Sequence, residues 1–276
     1  MFSYLKKISA VLNIFARKLS CWLLIVSCSL LAISNVHADV LTLPTVTVMS
    51  DHSLSLAVSE IARNYSRDKK TIVNTSFVPQ KIQQEQISEG AAADILITSK
   101  DEWIDELKLQ GLIDIHSQTK FAKDRLVLIG SAQSNVVSLG AGRFPTVDII
   151  NSASGEPVFI LGNPESLMVG AYAKEAMRSL GAADDLEPYT LYVKRLDEML
   201  DMVIKQQAFG ICFYSSVFNR SDLKIIDMIP ESAHKPIVYY AVVVASDNMN
   251  EARNFLDYLK STEVRKLLSK YGFVID

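Results

Sequence analysis

Asp94-Ile95-Leu96-Ile97-Thr98 is the stretch that decides the fold. In a strand, successive side chains point to opposite faces. Three aliphatic residues in a row therefore leave neither face of this strand fit for water, and strands of that kind belong to sheets covered by helices on both sides. On its N-terminal side, Gly90 stops a helix predicted from Pro79 to about Glu89. On its C-terminal side, Asp101 to Gln110 reads as a helix with acids in its first turn and Gly111 after its last.

The same alternation extends outward in both directions. Val46-Thr47-Val48-Met49 is a short β run, Leu54, Val58, Ile61 and Tyr65 recur at helical spacing, and Thr71 to Phe77 is a strand. Downstream, Arg125–Gly130 is a strand, and a Ser-, Gly- and Ala-rich loop spans Ser131–Gly142. Val158–Leu161 is a strand, Ser166–Leu180 and Arg195–Gln206 are helices, and Phe209–Phe213 and Ile237–Ala245 are strands. Helices near Asn250–Lys260 and Thr262–Lys270 close the chain. Repeated β-α units with continuously apolar strands predict an α/β fold of mostly parallel sheets flanked by helices.

The first 38 residues read differently. Lys6, Lys7, Arg17 and Lys18 precede an apolar run from Cys21 to Ile33, and Val36 and Ala38 suit the small-residue rule for cleavage. A basic head, a short apolar middle and small exit residues predict a signal peptide over 1–38, cut after Ala38, and a mature chain from Asp39 that works outside the cytoplasm. An uncleaved membrane anchor is the alternative, supported by the long basic head and by the apolar patch Ala10–Phe15. Residues 1–38 hold four of the 28 basic residues and no acid, so 24 Lys+Arg face 31 Asp+Glu in the remainder. An acidic balance of this size argues against a nucleic-acid partner, which asks for a basic face. Cys212 is the one cysteine outside that segment, and its apolar surroundings predict a buried core thiol and no disulfide.

Several chemistries are set aside on spacing. Asp51-His52-Ser53 holds the residue types of a hydrolytic triad, but neighbours in sequence do not converge as nucleophile, base and orienter. No Gly-x-Ser-x-Gly elbow, Walker sequence or Gly-x-Gly-x-x-Gly occurs, and His52, His116 and His234 lie too far apart for a metal motif. These histidines read mostly as surface or loop residues. No enzyme activity, resident metal or cofactor is expected.

What remains is a recurring strand-turn-helix design. Val46–Met49 leads through Ser50-Asp51-His52-Ser53 into a helix, Phe77 leads through Val78-Pro79-Gln80-Lys81 into a second, and Ile160-Leu161 leads through Gly162 to Gly170 into a third. Backbone N–H groups at converging helix starts suit a small anion. Ser53 serves equally well as a helix cap, and the two roles are compatible.

These turns carry a resemblance. The segments Gly90-Ala-Ala-Ala-Asp94-Ile-Leu-Ile-Thr98 with Trp103, Gly162-Asn-Pro-Glu165 leading to Gly170-Ala-Tyr172-Ala-Lys174-Glu175-Ala176 and Leu180-Gly181, and Phe255-Leu-Asp257-Tyr258-Leu259-Lys260 with Tyr271-Gly272-Phe273 occur in the order and spacing of one family. From about Pro44 onward the chain resembles the periplasmic molybdate-binding proteins of ABC importers. The resemblance implies a two-lobed type II periplasmic-binding-protein clamshell that holds a tetrahedral oxyanion, molybdate or tungstate, by neutral hydroxyls and backbone N–H groups. It also implies delivery to an inner-membrane ABC permease by a diffusing monomer.

Carried over position by position, the ligand set falls on Ser53, Gln80, Val169, Leu196 and Tyr214. Direct counting puts the last at Phe213, and a one-residue adjustment puts it at Tyr214, which keeps the hydroxyl. His52 and Lys81 are additional candidates. Asp51, His52, Gln80 and Val169 depart from the smaller residues of the family's turns, and an ionised Asp51 would repel a dianion. The lobes implied are 39–121 plus 239–276, and 122–238, with crossings near Ala122–Leu126 and Ile237–Ala241. Two further readings share the scaffold: a clamshell for another oxyanion or a small organic acid, and a partner-binding or sensor module that does not transport.

Overall fold

The computed structural model describes residues 43–140, 143–152 and 158–275, and the side chains of Gln80 and Lys81 fall outside that description. The predicted signal peptide also lies outside the described residues. The first part of the chain runs β1 (Thr45–Ser50), a 3-10 turn at His52–Leu54, α1 (Ser55–Lys69), β2 (Ile72–Phe77), α2 (Gln80–Ser88), β3 (Ile95–Thr98), α3 (Asp101–Leu109) and β4 (Thr119–Asp124). The middle runs β5 (Leu126–Ser131), α4 (Thr146–Asn151), β6 (Phe159–Gly162), α5 (Met168–Ser179), α6 (Ala183–Leu186), β7 (Thr190–Val193), α7 (Leu196–Lys205), β8 (Phe209–Phe213) and β9 (Leu223–Met228). The last part is β10 (Ile237–Val243), α8 (Met249–Leu259) and α9 (Thr262–Lys270).

The strands form two five-stranded sheets, ordered β2-β1-β3-β10-β4 and β7-β6-β8-β5-β9. Each sheet has two parallel and two antiparallel pairings. The sheets are thus mixed, where the sequence pattern predicts mostly parallel ones. The antiparallel pairings arise where the chain passes between sheets. β4 and β5 are separated by Arg125 alone and lie in different sheets, and β10 returns to the first sheet after β9 leaves the second. Ala122 to Asp124 belong to a strand of the first sheet, so the chain leaves that sheet at Asp124.

The opening stretch packs as its composition demands. Ile95 and Ile97 join the large core cluster with Val46, Val48, Val58 and Ile61, while Leu96 points the other way into a second cluster with Met49, Ile104, Leu107 and Val242. All three side chains are fully buried, each stabilising the fold by about 2 kcal/mol. Asp94 closes the strand start, its Oδ2 accepting from the N–H of Thr47 at 2.8 Å. The large cluster continues through both sheets and includes Leu126–Ile129, Phe159–Leu161 and Phe209–Phe213.

Glycine decides one junction in the second sheet. A Cβ on Gly170, the third residue of α5, would sit 2.1 Å from the carbonyl oxygen of Gly162, the last residue of β6. Only without that carbon can the helix start lie directly on the strand end. Cys212 is buried and free as expected, and burial pushes its thiol up to about 12. Among the histidines, His52 and His116 are exposed, but His234 is buried, its Nδ1 2.7 Å from the Lys235 carbonyl and its ring edge-on to Tyr172.

Candidate functional site

A cavity of about 220 Å³ is lined by Asp51, His52, Ser53, Phe77, Pro79, Ser166, Leu167, Met168, Val169, Lys194, Arg195, Leu196, Asp197 and Phe213. These residues sit at or just past the carboxyl ends of β1, β2, β6, β7 and β8. In each sheet the two parallel crossovers diverge from a central strand, β1 in one and β6 in the other. The crevice beyond such a strand end is where open α/β sheets take their ligands.

The first wall is polar. Asp51 leaves β1 extended and caps the next turn, its Oδ1 accepting from the N–H of Ser53 at 2.9 Å and from the Ser53 hydroxyl at 2.7 Å. Ser53 Oγ also lies 3.0 Å from the hydroxyl of Tyr239 on β10, 186 residues away in the chain. Tyr239 is buried. Desolvation raises both the Asp51 carboxyl and the Tyr239 hydroxyl above their usual pKa, opposed at Asp51 by the two Ser53 hydrogen bonds and the charge of His52.

The second wall is built from backbone. α5 and α7 both begin at the cavity, after Leu167 and Arg195, and neither of those residues caps its helix with a side chain. Helix starts left this way present first-turn N–H groups and the positive end of the helix dipole. Val169 and Leu196 are the second residue of α5 and the first of α7. Arg195 pairs with Asp197 at the rim, both exposed, while the exposed Lys194 lines the cavity between β7 and α7.

Of the residues the sequence singles out, Ser53, Val169, Leu196, His52 and Phe213 line this one cavity. Gln80 opens α2 next to the lining residue Pro79, with Lys81 following it. Tyr214 is held elsewhere: its N–H donates to the Arg125 carbonyl, its ring stacks on Phe218 with centroids 5.6 Å apart, and the Arg125 guanidinium lies 4.3 Å from the ring centre. Phe213, the directly counted position, is the one that reaches the cavity. Lys194, Arg195 and Tyr239 were not anticipated. Lys194 precedes a predicted helix start and was open to notice, but no local pattern links Tyr239 to Ser53. Among the described residues no group of three His, Cys, Asp or Glu side chains is placed to hold a metal.

A cavity closed by strand ends from two separate α/β sheets defines the class as a two-lobed binding protein of the periplasmic-binding-protein type. The fold matches the periplasmic molybdate-binding protein of Azotobacter vinelandii with a TM-score of 0.69 at 17% identity, covering 84% of this chain and 99% of that one. The chain belongs to the bacterial extracellular solute-binding protein family, whose sequence profile matches residues 46–274. It is 28% identical over 232 residues to the molybdate-binding protein ModA of Escherichia coli, covering 83% of this chain and 89% of that protein. It is 30% identical over 268 residues to YvgL of Bacillus subtilis, named as an ABC transporter substrate-binding lipoprotein, covering 96% of this chain and 98% of that protein.

Proposed function

We propose that this protein captures a tetrahedral oxyanion of the molybdate or tungstate kind outside the cytoplasm and presents it to an ABC permease. The observation that carries this reading is the meeting of two uncapped helix starts, α5 and α7, with the Ser53 turn around a cavity of about 220 Å³. A cavity of that size suits a small anion, and oriented N–H donors hold an anion well without an opposing formal charge. Nothing in the site asks for bond making or breaking, and the protein is read as a binder and not an enzyme. The relatives named above support molybdate as the cargo. The Asp51 carboxylate favours a second reading, the same site serving a different oxyanion.

Taken by sheet, the proposed lobes shift a few residues from 39–121 plus 239–276 and 122–238, because 122–124 and 237–238 lie in strands of the first sheet, and the crossings fall at Arg125 and between β9 and β10. Ser53 and Gln80 stand on one lobe and Val169, Leu196 and Phe213 on the other. Closure about those crossings would bring the two walls onto the ligand, and the closed form is what a permease would recognise.

The test is the melting temperature of the purified protein with molybdate, tungstate, sulfate, phosphate or small carboxylates. A ligand at 100 times its Kd stabilises the folded state by about 2.7 kcal/mol. A rise with molybdate and tungstate alone supports the lead reading, a rise with another oxyanion supports the second, and no rise with any of them points to a partner-binding module.

A further inference from the structure

One lining residue has the wrong sign for a bare dianion, and its hydrogen bonds say how the site can accommodate one. Asp51 Oδ1 takes both the N–H and the hydroxyl proton of Ser53. With that proton committed, the 3.0 Å contact between Ser53 and Tyr239 has the tyrosine as donor. The protons of the relay Tyr239–Ser53–Asp51 therefore all run toward the carboxylate. While Asp51 is ionised, Ser53 turns a lone pair, not a proton, toward the cavity. An anion entering then meets a carboxylate and an acceptor oxygen on this wall, and both repel it.

A single proton reverses this. Placed between the Asp51 carboxyl and an oxygen of the anion, it turns the repulsion into a charge-assisted hydrogen bond. We propose that the site binds its oxyanion together with one such proton, and that Asp51 thereby selects tetrahedral oxyanions that carry a proton over those that stay fully ionised. This rests on the oxyanion reading above. The balance is simple: hydrogen phosphate brings the proton with it, whereas molybdate, fully ionised near neutral pH, takes one from solvent, and no other bond forms or breaks. Burial already pushes Asp51 toward the protonated form.

Among the described residues the charged and titratable groups around Asp51 are few. His52 stands on the same turn and is exposed, and Tyr239 approaches from β10, with the buried Asp124 also acting on it. Lys194, Arg195 and Asp197 face across the cavity from the start of α7. Among the described residues only Ser53 hydrogen-bonds the Asp51 carboxylate.

Calorimetric titration with sodium molybdate and with inorganic phosphate, each in two buffers of different ionisation enthalpy at about pH 7.5, counts the protons taken up. About one proton per molybdate is expected and none per hydrogen phosphate, and molybdate affinity falls about tenfold per pH unit between about pH 6.5 and 8.5. Asp51→Asn keeps the acceptor that caps Ser53 and removes the charge, so it should abolish both the uptake and the slope. Molybdate binding without proton uptake, or a slope that survives in Asp51→Asn, overturns the proposal and leaves the oxyanion site standing. Failure of both anions to bind anywhere between about pH 5.5 and 8.5 removes this proposal together with the oxyanion reading.

Discussion

The two walls of the cavity solve one problem by different means. The wall from the first sheet works with side chains: Asp51 and Ser53 on the turn after β1 and Tyr239 on β10 form a hydrogen-bonded relay. The wall from the second sheet works with main chain: α5 and α7 start there without side-chain caps, behind Leu167 and Arg195, and the positions that matter, Val169 and Leu196, bear aliphatic side chains. The contrast separates two tasks. Backbone donors tolerate almost any side chain and hold an anion of any kind, whereas a hydroxyl and a carboxyl sort anions by the protons they carry. On the proposed reading, selectivity falls to the first wall and generic affinity to the second.

Gly170→Ala tests the second wall most severely. The added carbon has nowhere to go against the Gly162 carbonyl, so α5 must lift off β6. A loss of about 3 kcal/mol in urea unfolding is expected, with anion binding lost too. An alanine variant of wild-type stability would mean that the strand-to-helix junction is looser than described here.

Asp124→Asn addresses the crossing between the sheets. This buried carboxyl accepts from the N–H groups of Arg125 and Ser215 and from the Ser215 hydroxyl, yet desolvation outweighs those bonds and raises it to about 6. The native state therefore holds a proton that the unfolded chain releases near its ordinary value of 3.8, so this group costs stability as pH rises from about 4 through about 6. At pH 8 the asparagine variant should be more stable than wild type by up to about 3 kcal/mol, and the difference should vanish near pH 4. Urea unfolding across that range reads it directly. An unchanged difference with pH would show that Asp124 ionises freely in the folded protein.

Ser53→Ala bears on the first wall. It removes the hydroxyl that holds the Asp51 carboxyl on this wall, so on the proposed reading affinity for the bound oxyanion should drop about 10- to 100-fold, as measured by calorimetry. Equal affinity in the variant would move the selectivity away from this wall. The smallest effect is expected for Tyr214→Phe, because that ring lies against Arg125 and Phe218 and does not line the cavity. Affinity should change less than about twofold. A large loss would return Tyr214 to the ligand set in place of Phe213.

How much of this was legible from residues alone varies by element. The buried strands β1, β3, β5, β6, β8 and β10 were read with small boundary shifts, because a strand covered on both faces must be apolar throughout. β4, β7 and β9 lie outside that reading and are three of the four edge strands, whereas the fourth edge, β2, was read over Thr71–Phe77. Edges carry charge, as Thr119-Lys-Phe-Ala-Lys-Asp124 and Leu223-Lys-Ile-Ile-Asp-Met228 do, which blunts the alternation. Register shifts where β10 meets β4 and β5 meets β9 blur it further. The mostly parallel expectation failed because β5 and β10, though read as strands, pair antiparallel with their neighbours where the chain changes sheet.

The sequence by itself determined the alternation of buried strands and covering helices, the glycine-stopped helix ends and the strand-to-helix turns that line the cavity, since each depends on neighbours a few residues apart. Only the tertiary structure decided that Phe213 and not Tyr214 reaches the cavity, that Lys194 joins it, and that the Tyr239 hydroxyl meets that of Ser53. Those outcomes depend on which strands share a sheet and which strand ends meet across the two. Such a meeting is set by packing between residues more than a hundred positions apart, and no local pattern records it.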